Sequence, residues 1–508
     1  MKIKHTLIGT SLCILTTTAA IGQIELTQVL SGNGQLKWRD VGSAFVHPTA
    51  YTIEWSPRIG STQDVWSPFA VIPATNTAYS VDVPMFYRLR ASVEGRFPQL
   101  KIAVFSDIHY FDPSLLVHDG TAFQQTLASD NKMLKESGAV LDEVMAEVGT
   151  ANLVLITGDL TKDGELLCHQ GVVSRLQQLK VGGAKVFVIP GNHDINNPHA
   201  LSYDADKATP VATISAGAFA SMYAGFGYAD ALARDTNSLS YVAEPMPGLW
   251  ILALDSCHYE RNTNGTVFDG GYFDAPRLDW IKSQLAEARS RGKYVLAMMH
   301  HGLLEHYAGQ KTLFPDFVID DYQTVASVFA SYGVEVVFTG HYHAQDIVRG
   351  TFGRSAIYDV ETGSTVTFPC PYRLLSLNTN GDLSITSHPI THINFDTGGV
   401  PFPTYASNTV HSQVLGISTY MLTSPPYSLP PASAQFLAPG LTEGFVSHYQ
   451  GDEGSRPISA GTQAIIAYLQ ALTDSMSRMM LNALLCVFTD LPPGDNSLTL
   501  NLITGQTQ

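Results

Sequence analysis

Asp107-Ile108-His109, Gly158-Asp159, Gly191-Asn192-His193-Asp194, His300-His301 and Gly340-His341-Tyr342-His343 follow one another along the middle of a 508-residue chain. A centre that cleaves phosphate esters with two metal ions needs hard oxygen ligands, neutral imidazoles and one carboxylate able to bridge both ions. These motifs offer two such aspartates, Asp107 and Asp159, the Asn192 amide oxygen, and up to four imidazoles from His109, His300, His341 and His343. Mixed oxygen and nitrogen donors of this kind suit Mn, Fe, Zn or Co, and the residue types alone do not choose among them. A single His or Asp of this sort is as readily a core histidine or a turn residue. Five motifs in order, each at the end of an apolar run, are not explained that way.

The runs must position the motifs. Ile102–Phe105, Leu153–Ile156, Val186–Ile189 and Val295–Met298 are short, branched and bounded by Gly or polar residues, as in strands buried on both faces. Val334–Phe338 has the same form except for Glu335. In an open α/β sheet, ligand groups collect in loops beyond the carboxyl ends of the strands. All five motifs stand at such junctions, so the expectation is convergence at one edge of one sheet.

The order and spacing D-x-H, G-D, G-N-H-D, paired His and G-H-x-H resemble the calcineurin-like metallophosphoesterases over roughly residues 99–390. That resemblance implies an α/β fold, a β-sandwich flanked by helices in an αββα arrangement. It also implies two divalent or trivalent ions, with Asp107, His109 and His343 on the first, Asn192, His300 and His341 on the second, and Asp159 bridging. Hydroxide shared between the ions would attack phosphorus, with His193 as a non-ligand group beside the leaving oxygen. Of the adjacent pair, the family pattern favours His300 as ligand and leaves His301 to line the pocket; their side chains point opposite ways on an extended strand. Where the pattern often continues Pro-Pro, this chain has Gly302-Leu303.

Departures narrow the resemblance. The segment Gly158-Asp159-Leu160-Thr161-Lys162-Asp163-Gly164 lacks the Arg of protein Ser/Thr phosphatases, and Lys162 stands where purple acid phosphatases carry a ligating Tyr. Gly158 to Glu165 is similar to bacterial class III cyclic nucleotide phosphodiesterases and their glycerophosphodiester-cleaving relatives. The opening from Asp107 to Leu115 resembles a secreted branch of that group with a helical C-terminal extension. The implied function is hydrolysis of 3′,5′-cyclic nucleotides or other small phosphodiesters. The alternatives are a phosphate-scavenging monoesterase and a noncatalytic surface-binding protein on a degenerate scaffold; the latter should lack a ligand, and none is missing.

Composition bounds the rest. Lys2 and Lys4 precede an apolar stretch from Leu7 to Ile21 that ends in small residues, the form of a signal peptide over residues 1–22. Export to a secreted, periplasmic or cell-surface location is therefore expected, with no transmembrane segment after its removal. Cys168, Cys257, Cys370 and Cys486 then remain, allowing three pairings among which the sequence does not choose. The formal charge of −16 and the absence of a basic stripe argue against a nucleic acid polymer as partner and for a small phosphate ester. The oligomeric state has no sequence signature.

Residues 23–96 alternate in strand fashion, with Tyr51, Ile53 and Trp55 on one face, and read as a small fibronectin-like β-sandwich with Trp38, Trp55 and Trp66 as packing. Residues 97–392 hold the motifs. In the Ala-, Ser- and Gly-rich stretch between Pro198 and Pro247, Tyr223, Phe226 and Tyr228 are expected to pack onto the sheet, with a base-stacking cap as the alternative. Residues 393–508 begin Pro-rich and lead to a helix near Thr462 to Phe488, reading as a mainly helical domain. Asp474 and Arg478 within that helix argue against a membrane span.

Overall fold

The computed structural model describes residues 23–28, 34–41, 45–56, 67–76, 78–81, 86–95, 97–263, 265–353, 355–503 and 505–507. The expected signal peptide at 1–22, Trp66, and the side chains of Trp38 and Trp55 lie outside the described residues. The N-terminal strands form two three-stranded sheets, one of Gln23–Gln28, Gly34–Val41 and Ala78–Val81, the other of Ser67–Pro73, Val46–Ser56 and Phe86–Gly95. Tyr51 and Ile53, two apart on their strand, are both buried.

From Leu100 onward the chain builds two seven-stranded sheets flanked by helices, the α/β class the motifs imply. In the first, Lys185–Val188, Leu153–Ile156 and Leu100–Phe105 run parallel, and Pro371–Leu377 continues antiparallel. In the second, Leu249–Leu254, Tyr294–Met299, Val336–Thr339 and Ser355–Glu361 run parallel, side by side. The five motif strands therefore divide three and two between sheets, correcting the expectation of a single sheet edge. Apolar runs buried on both faces look alike whichever sheet they join, so the sequence carries no sign of the division.

Strand alternation explains the layers. Leu249, Ile251, Ala253, Leu296, Met298, Val336 and Phe338 join one core with Ile102, Val104, Leu153 and Leu155, which pair side by side on one face of the first sheet. The intervening Trp250, Leu252, Leu254, Val295, Ala297 and Val337 face a second core with Ile281 and Leu285 of helix Ala275–Ser290 and Val325 and Phe329 of helix Tyr322–Tyr332. Each fully buried Val, Leu, Ile, Phe or Met among them is worth about 1.5–3 kcal/mol.

The region after Phe402 differs from its sequence reading. Helices Phe402–Thr423 and Pro431–Gln450 flank the prolines that looked like a polar lead-in. Pro431 opens the second helix, where its missing N–H costs nothing. The expected single helix splits into Ala460–Ala471 and Ser475–Cys486, because Asp474 accepts from the Ser477 N–H at 2.9 Å and caps a new start. The chain then returns to the first sheet, pairing Ser497–Asn501 antiparallel with Asp382–Pro389. Among the described residues no helix is long and apolar enough to cross a membrane. Cys168, Cys257, Cys370 and Cys486 are all free thiols, and the Cys168 and Cys257 sulfurs instead bond to the Asp112 N–H and the Pro190 carbonyl.

Candidate metal centre

Each motif begins within four residues of its strand's carboxyl end, and the two sheets are stitched together there. The Thr157 hydroxyl of the first sheet donates to the Thr339 carbonyl of the second at 3.2 Å, and the His300 Nδ1–H donates to the Thr157 carbonyl at 2.8 Å. This stitching brings Asp107, His109, Asp159, Asn192 and His193 from one sheet against His300, His341 and His343 from the other.

Two triads result, Asp107, His109 and His343, and Asp159, His300 and His341, with the potential ligand atoms of each within 4.8 Å of one another. Between them lies Asp159 Oδ2, 3.6 Å from His109 Nε2 and 3.4 Å from His300 Nε2. Asn192 Oδ1 is 3.0 Å from His300 Nε2. His193 also approaches His109 and Asp159, but its Nδ1 is turned to Asp163 Oδ1 at 2.8 Å.

Hydrogen bonding fixes which nitrogens are free. A carbonyl can only accept, so His300 Nδ1 bears the proton and its Nε2 lone pair faces Asn192 and Asp159. The Thr367 hydroxyl gives its one proton to the Asn131 carbonyl at 3.1 Å, so it accepts from His343 Nδ1 at 3.1 Å. His343 Nε2 is thereby left as a lone pair, 3.1 Å from His109 Nε2. His301 differs: Nε2 donates to the Asp269 carbonyl and Nδ1 accepts from the Ser256 hydroxyl, each at 2.8 Å. Both of its ring nitrogens are engaged, and it has nothing to offer an ion.

The residues fit two metal ions on several further counts. Asp107 Oδ1 and His341 Nε2 are buried polar atoms without a hydrogen-bond partner. Burial, reinforced by the nearby Lys132 charge, pushes the His109 imidazole well below its usual range, and burial beside His301 and His300 does the same to His341, so both are neutral donors. At His300 burial is outweighed by the Asp159 carboxylate, which lifts it to about 9; the field there calls for positive charge, from a proton or a cation. Burial alone would raise Asp159, yet His300, His193 and His109 around it hold it well below the carboxylate range.

Backbone geometry marks the same residues. Asp107, His109, Asp159, His341 and His343 all have positive φ, between 41° and 77°, which non-glycine residues rarely adopt outside sites that need it. The neighbouring glycines allow the crowding: a Cβ at Gly191 would stand 2.1 Å from Asp159 Oδ1, and one at Gly340 would stand 2.5 Å from Asp107 Oδ2.

Several supporting residues were missed by reading the sequence. Asp194 accepts from the Leu160, Thr161 and Gly191 N–H groups and the Thr161 hydroxyl, at 2.8–3.1 Å, and so clamps the Asp159 loop to the Asn192 loop. Asp163 holds His193 and is itself bonded by Lys162 and by Asn197 Nδ2. Thr367 and Asn131 lie far from any motif. Only Asp163 and Asp194 had a possible signal, since both sit inside the motif segments. Tyr223, Phe226 and Tyr228 are buried against the sheet; Tyr223 meets His169 at 2.8 Å.

Residues 100–345 match the calcineurin-like phosphoesterase family. A Psychrobacter protein described as a "probable cyclic nucleotide phosphodiesterase" is 26% identical over 256 residues, covering 48% of this chain and 65% of the relative, slightly under two thirds of its length. Among solved structures, a dimetal phosphatase from Danio rerio aligns at 15% identity over 58% of this chain and 97% of that one, with a TM-score of 0.42. A purple acid phosphatase from yellow lupin aligns at 11% identity over 71% of each chain, with a TM-score of 0.35.

Proposed function

We propose, for a chain whose residues 100–345 match the calcineurin-like phosphoesterase family, that the protein is a binuclear hydrolase of small phosphodiesters, 3′,5′-cyclic nucleotides foremost. The observation that carries this reading is Asp159 Oδ2, placed between His109 Nε2 and His300 Nε2 where the two triads meet. Asp107, His109 and His343 would hold one ion, Asn192, His300 and His341 the other, with Asp159 common to both. Bound there, two ions would supply Lewis acidity toward the phosphoryl oxygens and lower the pKa of water, in single-ion cases to about 7.

The protein's own groups then position and protonate. His193 donates its Nδ1 proton to Asp163, which leaves Nε2 as the nitrogen that, in an imidazolium, can protonate the departing alkoxide. Burial and Lys132 pull His193 down, but Asp159 and Asp163 outweigh them and hold it above its usual value. The main-chain N–H of His193 donates to Asp159 Oδ1 at 2.9 Å, leaving Oδ2 for the shared position. The cyclic nucleotide preference draws on the description of the Psychrobacter relative and on the segment Gly158 to Glu165. Export across a membrane is proposed from the leader alone.

The test compares 3′,5′-cyclic AMP, an aryl phosphodiester and the matching aryl monoester on Mn-loaded protein, with Asp159→Ala as control. Cyclic AMP turnover competitive with the aryl diester is expected. A monoester preference would recast the protein as a phosphate-scavenging phosphatase, and full activity in Asp159→Ala would sink the assignment.

A further inference from the structure

The two triads open into a cavity of about 710 Å³ whose far wall is made by the C-terminal helices. Asp159, Asn192, His193, His341 and His343 form its floor. Opposite stand Ile417 and Met421 of helix Phe402–Thr423 and Phe445 of helix Pro431–Gln450. Aromatic rings continue the wall down to the floor: Phe445 and Phe314 have centroids 5.7 Å apart, and Phe317 packs on His341 at 4.9 Å. This volume lies in the range of small-molecule sites, which join apolar lining to a few convergent polar groups.

One cation faces the floor. Lys132 is the only lysine or arginine among the described residues lining the cavity, is 8% exposed, and has Asp130 Oδ1 at 3.5 Å. Its segment is tied to the helices and to a candidate ligand alike. Gln413 Nε2 donates to the Lys132 carbonyl at 3.1 Å, Asn131 Nδ2 donates to the Tyr449 hydroxyl at 3.1 Å, and the Asn131 carbonyl takes the Thr367 proton. The wall is thus held in register with the centre. The 198–247 stretch turns Tyr223, Phe226 and Tyr228 into the core and, among the described residues, supplies only His199 to this cavity.

We propose that the C-terminal helices complete the substrate site: Ile417, Met421, Phe445 and Phe314 receive the bulky apolar part of a phosphate ester, aryl, alkyl or nucleoside base, while Lys132 takes a nonbridging phosphoryl oxygen. This rests on the phosphoesterase reading above and extends it to the substrate's organic half. A charged ammonium beside a phosphoryl oxygen gives affinity common to all esters, whereas the apolar wall discriminates by the size of the alcohol.

Phenylphosphonate and methylphosphonate, which share the phosphonyl group and are not hydrolysed, separate the two contributions when their binding to the Mn-loaded full chain is measured by calorimetry. The wild type is expected to bind the phenyl compound at least tenfold more tightly. Ile417→Ser and Met421→Ser, at partly exposed positions, should each shrink that ratio severalfold with Mn content unchanged, and Lys132→Met should weaken both compounds about 10–100-fold without altering it. Equal affinity for the two phosphonates, or a ratio that the helix variants leave intact, would overturn the proposal while the metal centre stands. Failure of the Mn-loaded wild type to bind either compound would overturn the phosphoesterase reading, and this inference with it.

Discussion

The Thr367 hydroxyl accepts from His343 Nδ1 at 3.1 Å and gives its own proton to the Asn131 carbonyl, so one residue between two loops decides which imidazole nitrogen faces the centre. Partners of this kind orient metal-ligating histidines, and their loss typically costs about 10–100-fold in affinity. Thr367→Val should therefore weaken binding at one of the two positions by that factor, read by competition with a chelator. Unchanged affinity at both positions would show that His343 needs no such support.

His193 and Asp163 form a second such pair. His193→Ala should keep both metal equivalents and lose about 10²–10⁴-fold in kcat, the usual cost of a missing general acid. Asp163→Asn should keep the metals too. It removes one of the groups that hold His193 above its usual pKa, so its pKa falls and the alkaline limb of the pH–rate profile moves to lower pH. A limb that stays in place would assign the proton donor elsewhere.

The histidine pair offers a sharp contrast. His300→Ala should lose one metal equivalent, since its Nε2 faces Asn192 Oδ1 and Asp159 Oδ2. His301→Ala should keep both, because its nitrogens are already bonded to Ser256 and the Asp269 carbonyl. Elemental analysis of the two purified variants distinguishes them, and loss of an ion in His301→Ala alone would reverse the assignment.

Away from the centre, Glu335 makes stability depend on pH. Burial lifts its carboxyl to about 8, against a hydrogen bond from the Tyr294 hydroxyl at 3.1 Å that favours the charged form. The folded value lies above the unfolded one, so its contribution is complete below about pH 4.5 and is lost as pH rises through about 8. Glu335→Gln keeps an acceptor for Tyr294 and removes the ionisation. Its Tm should exceed that of the wild type at pH 8.5 by several degrees and converge with it at pH 5, as thermal melts at the two values would reveal.

The motifs and their order named the chemistry without a structure, because a ligand set is a matter of residue types and each set here stands next to the strand that carries it. Asp107, His109, Asp159, Asn192, His300, His341 and His343 all lie where the strand ends bring them together. The αββα architecture came through the resemblance, since nothing in runs such as Leu153–Ile156 and Val295–Met298 tells which sheet a doubly buried strand will join. Contacts between distant segments were decided only by tertiary structure. Thr367 and Asn131 are 236 positions apart, and Asn131 and Tyr449 are 318 apart, and neither pair has a local pattern to betray it. The preference for His300 over His301 likewise acquired a physical cause only when the Thr157 carbonyl, the Ser256 hydroxyl and the Asp269 carbonyl were seen around the two rings. Local sequence sets which groups are available, while the free nitrogen, the strained φ and the far wall of the cavity depend on what the rest of the chain packs against them.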